Sequence, residues 1–258
     1  MKHSLHALAL AVFSMGIAQA QSAAPAAPAP VAIPDLAARA SFSWSSKNVA
    51  RGKVRSSDDG LLQSQVTLEY SVPTFQGVSA YASAYSADNF ERTYTIGART
   101  DSSVGTYDIG YQHSTATSVA TLSGNGFIQA LSDQEFYVGL VANKDVALRP
   151  SVYLYHSTEL KQTNLVISGR KDFVGGEVGI PGFDISTKVY AGSVNSSAST
   201  YQTTDNAYLY AGASVDVTRT IGSGAVIGAG AHYAYNTDGQ TATKGSTTWY
   251  KVFANFRF

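Results

Sequence analysis

The sequence predicts an all-β chain that crosses a membrane as one antiparallel, up-and-down transmembrane β-barrel of about twelve strands. Three observations predict it. Apolar residues alternate with polar ones over stretches of strand length, while no run after the N-terminus is long enough for a membrane helix. Tight turns alternate with longer polar connections along the chain. The last residues, Thr247 to Phe258, form a strand with one apolar face that stops on an aromatic ring. An even strand number puts both ends of a barrel on one side, with short turns there and longer loops opposite.

The first twenty residues stand apart from this pattern. Lys2 precedes a mostly apolar run from Ala7 to Ile17, and Ala18-Gln19-Ala20 supplies small residues for cleavage. Residues 1–20 therefore read as a secretory signal peptide, the apolar run being shorter than the ~20 residues of a spanning helix. Residues 21–39 are rich in Ala and Pro, a composition that buries little surface, and read as a periplasmic linker. From residue 40 to 258 no further composition break occurs, so this is the barrel. These features together predict the outer membrane of a Gram-negative cell.

Ala40 to Ala50 opens the barrel with Phe42 and Trp44 in phase, and a polar stretch from Arg51 to Gly60 follows. Leu61 to Val72 sets Val66, Leu68, Tyr70 and Val72 against Gln65, Thr67 and Glu69. After the turn at Pro73 to Gly77, the stretches Gly77 to Ala87 and Glu91 to Asp101 make a hairpin with Tyr94, Ile96 and Ala98 on its lipid face. Val104 to Thr115 carries Tyr107, Ile109 and Tyr111 opposite Asp108, Gly110 and Gln112. A long polar segment, 116–132, leads to Gln134 to Asn143, which returns as Ala147 to Thr158. Gln162 to Phe173 and Phe183 to Val194 follow, then Asn206 to Val217 in strict alternation, Gly224 to Tyr235, and the terminal strand. A soluble β-sandwich would alternate in the same way. The export signal, the unequal connections and the aromatic terminus together favour the barrel.

The terminal strand looks like the insertion signal that barrel-assembly machinery reads in bacterial outer-membrane proteins, with Lys251 as its polar position and Phe256 and Phe258 as its aromatic pair. Phe253 stands where that signal usually has glycine. The stretch from Ser43 to Tyr70 resembles the first hairpin of the TorF-like porin family. Members carry an aromatic or apolar residue before Arg-Gly, a serine and aspartate loop, and a Gln-containing second strand that ends in Tyr. Arg51-Gly52, Ser56 to Asp59, Gln63 or Gln65, and Tyr70 match, with Ala50 in place of the usual aromatic. The resemblance implies an outer-membrane barrel over residues 40–258.

Several chemistries have no support. Cysteine is absent and the net charge is zero, so a disulfide framework, a thiolate metal site and a nucleic-acid footprint are excluded. His113, His156 and His232 fall on different strands without metal-ligand spacing, so no metal or cofactor is expected. A lipid hydrolase would need a serine and a histidine on one face. Ser114 beside His113 is ruled out by strand alternation, which leaves a cross-strand pair such as His156 with Ser168. Gly124-Asn125-Gly126, Gly222-Ser223-Gly224 and Gly228-Ala229-Gly230 lack the Lys-Ser/Thr of a phosphate loop and read as turns or small interior residues. No catalytic residue is assigned.

The charged residues inside strands say more. Glu69, Arg99, Asp108, Glu135, Arg149, Arg170, Asp184, Lys188, Asp216, Lys251 and Arg257 interrupt stretches whose alternate positions are apolar. An Arg or Lys facing lipid at mid-depth costs about 2 to 4 kcal/mol, so these side chains are expected to point inward. There they would line a water path for small hydrophilic solutes, with signs too mixed for strong ion selectivity. The other reading is a closed barrel, stabilised by the same charges, that serves as a structural or surface-interaction protein through its outer loops.

The topology makes a direct prediction. Segment 116–132 is cut by protease added to intact cells, because it is polar, contains glycine and lies outside. Cleavage only after the outer membrane is opened would invert the topology.

Overall fold

The computed structural model describes residues 35–54, 60–88, 91–116, 132–196, 207–238 and 245–258. The signal-peptide reading, most of the linker, and nearly all of the outer segment 116–132 lie outside the described residues. Residues 35–258 form one compact unit built from strands, and no helix occurs among the described residues.

Twelve strands close into an antiparallel barrel. They are β1 (Leu36–Ser45), β4 (Leu61–Ser71), β5 (Val78–Ala87), β6 (Glu91–Asp101), β7 (Gly105–Ala116), β8 (Ser132–Ala142), β9 (Ser151–Ser157), β10 (Gln162–Val174), β11 (Asp184–Ser196), β12 (Ala207–Ile221), β13 (Ala225–Asn236) and β14 (Gly245–Arg257). Two short strands, β2 (Val49–Ala50) and β3 (Lys53–Val54), form a separate hairpin within the connection from β1 to β4. Each barrel strand pairs with its sequence neighbour, and β1 pairs with both β4 and β14. Eleven strands are 10 to 15 residues long and β9 has seven. A tilted transmembrane strand needs about 9 to 11 residues, so all but β9 reach across unaided.

Register fixes which side chains face lipid. Ile96 pairs with Tyr111 and Ile109 with Val138, and these positions form an outward apolar band in which Ile96 and Ile109 are each 61% exposed. Leu209, Val215, Tyr250 and Val252 continue it around the wall. Such a continuous apolar belt is suited to hydrocarbon and unsuited to water. The outward cations Lys171 and Arg219 lie near strand ends, each beside an aromatic ring, Phe173 and Phe183. There the aliphatic stems run along apolar surface and the charges reach the interface.

The turn end of the barrel carries both Asp35 and Phe258 and the connections 72–77, 102–104, 143–150, 175–183 and 222–224. At the opposite, loop end β1, β5, β7, β9, β11 and β13 finish, and β4, β6, β8, β10, β12 and β14 begin. Several boundaries differ from the sequence reading: β12 runs to Ile221, four residues past the expected Val217, β8 and β14 each start two residues early, and three further differences concern β1 and β9. β1 starts at Leu36, inside the stretch read as linker, because Ala38 and Ala40 keep the outward phase of Leu36 and Phe42 with side chains too small to signal it. It also ends at Ser45, after which the chain turns into the barrel and forms the β2–β3 hairpin that the sequence reading took as the end of a strand and a loop. β9 begins at Ser151, four residues after the expected Ala147, because Leu148 and Arg149 adopt positive φ angles of 60° and 33° that break the strand.

The seam between β1 and β14 generates a prediction. Phe258 donates its backbone N–H to Ala38 O at 2.9 Å and accepts from Ala38 N at 3.4 Å, while its side chain is exposed outward. Deleting Phe258 removes these seam bonds together with an interfacial aromatic, and severalfold less heat-modifiable barrel reaches the membrane fraction. Unchanged yield and migration in gels would show that the seam does not need it.

Candidate functional site

The interior is organised by the hairpin that enters it from the loop end. Ala50 pairs with Lys53 across Arg51 and Gly52, both at positive φ (51° and 76°), which is the two-residue turn whose twist suits a hairpin. Gly52 is required twice over. A Cβ there would stand 2.7 Å from Tyr210 Cβ, and the φ angle disfavours any side chain.

The hairpin is fastened to opposite walls. Arg51 forms an ion pair with Glu135 on β8 and donates to Gln162 Oε1 on β10 at 2.8 Å. Glu135 also accepts from Gln112 on β7. Burial works against the charge of Arg51, and the adjacent Glu135 carboxylate more than offsets it, so its pKa lies above the ordinary arginine value. Lys53 pairs with Asp238 just beyond β13 and sits 4.4 Å from the Tyr208 ring centroid. Asn236 donates to Gly52 O at 2.8 Å. Asn48 donates to Glu91 at 3.3 Å and Lys47 to Thr247 at 3.2 Å, so residues 47–53 touch β6, β8, β10, β13 and β14. The loop end of the lumen is thereby narrowed by the chain's own backbone.

Below the hairpin, inward tyrosines lie flat across the glycines of neighbouring strands. A Cβ on Gly97 would meet Tyr81, one on Gly110 would meet Tyr137, and one on Gly139 would meet Tyr153, all at 2.5 Å or less. Tyr190 and Tyr210 cover Gly212 and Gly192 in the same manner. The rings also touch one another, with Tyr153 and Tyr155 stacked at 5.9 Å. Asp108 is 5% exposed and accepts from Tyr81 at 2.7 Å, Tyr153 at 3.1 Å and Arg99 Nε at 3.3 Å, while Arg99 lies over the Tyr81 ring.

Toward the turn end a cavity of about 340 Å³ opens, lined by Glu69, Ser79, Arg99, Asp101, Arg149 and Tyr153 among others. Glu69 accepts from Arg39 at 3.2 Å and from Ser79 at 2.9 Å. Around the rest of the wall, Arg170 bonds Asp172 at 2.8 Å, Lys188 stands opposite Arg170 in register, and Asp184 accepts from Gly175 N at 3.3 Å. Asp216 lies 3.4 Å from His232 Nε2, and His232 stacks on Trp249 at 5.2 Å. Lys251 pairs with Gly230, and Arg257 stands opposite Arg39.

Ten of the eleven charged residues singled out in the sequence thus occupy the strand phase opposite the lipid-facing band, and Arg149 reaches the lumen from a turn rather than a strand. Glu135 is engaged with the hairpin, Arg99 and Asp108 with the tyrosines, and the others lie around the turn-end half. Sequence reasoning missed Arg51, Lys53 and Asp238 as interior groups, and missed the inward tyrosines. The tyrosine phase was readable, since Tyr137, Tyr153 and Tyr155 alternate with Val138, Leu154 and His156. The His156–Ser168 pairing is not realised. His156 faces outward and contacts Thr163 at 3.1 Å, whereas Ser168 faces inward and bonds Ser151 at 2.7 Å. Of the terminal-strand residues, Lys251 points inward and Phe256 and Phe258 outward, Phe256 meeting Phe42 edge-on at 6.3 Å.

The close fit at Gly52 predicts that Gly52→Val unseats the hairpin and leaves the barrel folded. The natural chain has no cysteine, so Asn48→Cys reports on it. With Gly52→Val, that thiol reacts with a membrane-impermeant maleimide about tenfold faster, since the opened state is no longer a minor population. Equal rates in both backgrounds would mean that Gly52 does not hold the hairpin.

No family model and no curated protein matches the sequence of this chain. Among solved structures, the chain is similar to the KdgM porin, with 9% identity over 85% of this chain and 99% of that one and a TM-score of 0.50. It is also similar to OpdL of Pseudomonas aeruginosa, with 12% identity over 88% of this chain and 68% of that one and a TM-score of 0.43. At such identity the likeness is one of fold, and the fold is that of an outer-membrane porin barrel.

Proposed function

We propose that this chain is a narrow passive pore for small hydrophilic solutes in the bacterial outer membrane, with its turn end in the periplasm and its loop end outside. A cleaved signal peptide would bring it there, and barrel-assembly machinery would read Lys251, Phe256 and Phe258. Membership of the TorF-like porin family is part of the same reading, supported by the Arg51-Gly52 hairpin, whose two residues that resemblance singles out.

The observation that carries the reading is the charged cavity beneath the hairpin. A barrel meant only as a wall gains most from a lumen packed with paired side chains, as in the tyrosine and Asp108 layer. Toward the turn end Glu69, Arg99, Asp101 and Arg149 instead border a cavity of about 340 Å³, while Arg170, Lys188, Arg257, Asp184 and Asp216 stand on the inward phase elsewhere along the wall. Charges placed so close to a water path act on a passing ion at short range. The hairpin favours a second reading, a closed barrel acting as a structural or surface-interaction protein, because residues 47–53 span the loop end. The serine–histidine pair that the sequence offered a hydrolase, His156 and Ser168, lies on opposite faces of the wall.

Planar-bilayer recording separates the readings. The purified barrel conducts in small steps, and Gly52→Val enlarges them. Replacing Arg170 and Arg257 together with glutamate moves the reversal potential under a salt gradient toward cation selectivity, because two lumen charges change sign and the net charge falls by four units. Folded protein that leaves the bilayer at its bare conductance, with or without Gly52→Val, would overturn the pore and favour the closed barrel.

A further inference from the structure

The wall at β9 departs from regular pairing in a way that the pore itself does not require. β9 is seven residues long, and its turn-end continuation is the connection 143–150. Within it Leu148 and Arg149 take consecutive positive φ angles of 60° and 33°. Left-handed backbone costs a non-glycine residue roughly 1 to 2 kcal/mol and persists only where surrounding bonds enforce it. Those bonds are present: Arg149 N donates to Val146 O at 2.9 Å, and Arg170 N donates to Leu148 O at 2.6 Å. The distorted segment stays hydrogen-bonded to β10 while aiming Arg149 into the cavity, as bulges re-aim side chains.

Aiming it there sets like charges side by side. Leu148 O holds the backbone of Arg170, and Arg170 is directly opposite Lys188 in the β10–β11 register. Arg170 and Lys188 are thus direct neighbours on the inner wall, and Arg149 comes from the segment hydrogen-bonded beside Arg170, at the edge of the cavity that Glu69 and Asp101 also line. Like charges directly opposite each other on a sheet destabilise it, so Arg170 and Lys188, with Arg149 on the segment hydrogen-bonded beside them, call for a compensating anion. The protein supplies one in part. Asp172 bonds Arg170 at 2.8 Å and lies within electrostatic reach of Arg149. Asp184 is turned to Gly175 N and Asp216 to His232. Among the described residues, neither the Arg149 guanidinium nor the Lys188 ammonium has an ion pair.

We infer that Arg149, Arg170 and Lys188 form a binding site for an anionic group, a carboxylate or a phosphate, carried by a solute that enters from the turn end. This rests on the pore reading for its physiological sense, since only a permeating solute needs a site within the lumen. Arg149 and Arg170 offer planar forks for two oxygens, and Lys188 adds a compact charge. The acidic residues Asp172 and Asp216, one step nearer the turn end, would keep the binding weak enough for release, which a pathway requires.

The test uses the full barrel in detergent, so that it does not depend on conductance. Inorganic phosphate, succinate and the neutral solute glycerol are titrated by calorimetry into wild type, Arg149→Gln, Lys188→Gln and the charge-keeping Arg149→Lys, each verified as folded by heat-modifiable migration. Phosphate or succinate binds the wild type with saturation and glycerol does not. Each glutamine variant binds about tenfold more weakly, the loss expected for one charge-assisted hydrogen bond, and Arg149→Lys recovers part of it. Preference between phosphate and succinate names the group. Absence of saturable binding by the wild type, or equal binding by the glutamine variants, overturns the site, and a glutamine variant that fails to fold leaves the wild-type titration to decide. Binding by a barrel that does not conduct would retain the site and remove the pore, whereas a conducting barrel without binding would do the reverse.

Discussion

Hydrocarbon offers no partner to a backbone amide, and this constraint governs the rest of the molecule. Each unpaired N–H or C=O in lipid costs several kcal/mol, so a strand wall can cross only if it has no edge. The pairing of β1 with β14, from Arg39 opposite Arg257 to Ser45 opposite Lys251, removes the last edge. Once the wall is closed, alternation leaves each side chain two possible surroundings. Ile109 goes to lipid and Asp108 to the lumen because nothing else is available to neighbouring residues of one strand. The charged interior follows from closure together with the position of the apolar residues.

What fills that interior is less constrained, and it differs between three levels. In the loop-end half the filling is chain: a hairpin whose backbone, at Gly52, lies against Tyr210. In the middle it is tyrosine laid over glycine, an arrangement in which the absent side chain of one strand makes room for the ring of the next. Tyr81, Tyr153 and Arg99 converge on Asp108, so that a carboxylate 5% exposed has three donors, and Tyr137 bonds the Tyr81 hydroxyl behind them. Toward the turn end the lumen opens, and Glu69, Arg99, Asp101 and Arg149 border the open volume beside Tyr153.

The fold was legible because closure acts on every strand alike, so each alternation repeats the same information. Val66, Leu68 and Tyr70 set the phase of β4, and pairing carried it to Ala80, Ala82 and Ala84 on β5, whose small side chains say little alone. The same cause hid the start of β1, where Ala38 and Ala40 face lipid. The interior was legible only as a list of inward residues. Which of them meet depends on long-range register, as when Arg51 reaches Glu135 or when Arg149 is brought beside Arg170 by a backbone conformation that neither leucine nor arginine announces. Arg51-Gly52 carried a local signal, a tight turn. Its place inside the barrel did not, because a polar turn reads the same whether it meets water outside or within.

The anchors of the hairpin lie far apart in the chain. Lys53 belongs to the first connection, whereas Asn236 ends β13, Asp238 follows it and Thr247 lies near the start of β14. The constriction therefore cannot exist in a sheet that is still being extended from its first strands. Its last contacts become available only as the strands that complete the cylinder arrive, so closing the wall and narrowing the bore are one event in time. An unfinished sheet is open both at its edge and through its middle. Only the completed barrel holds its entrance in place.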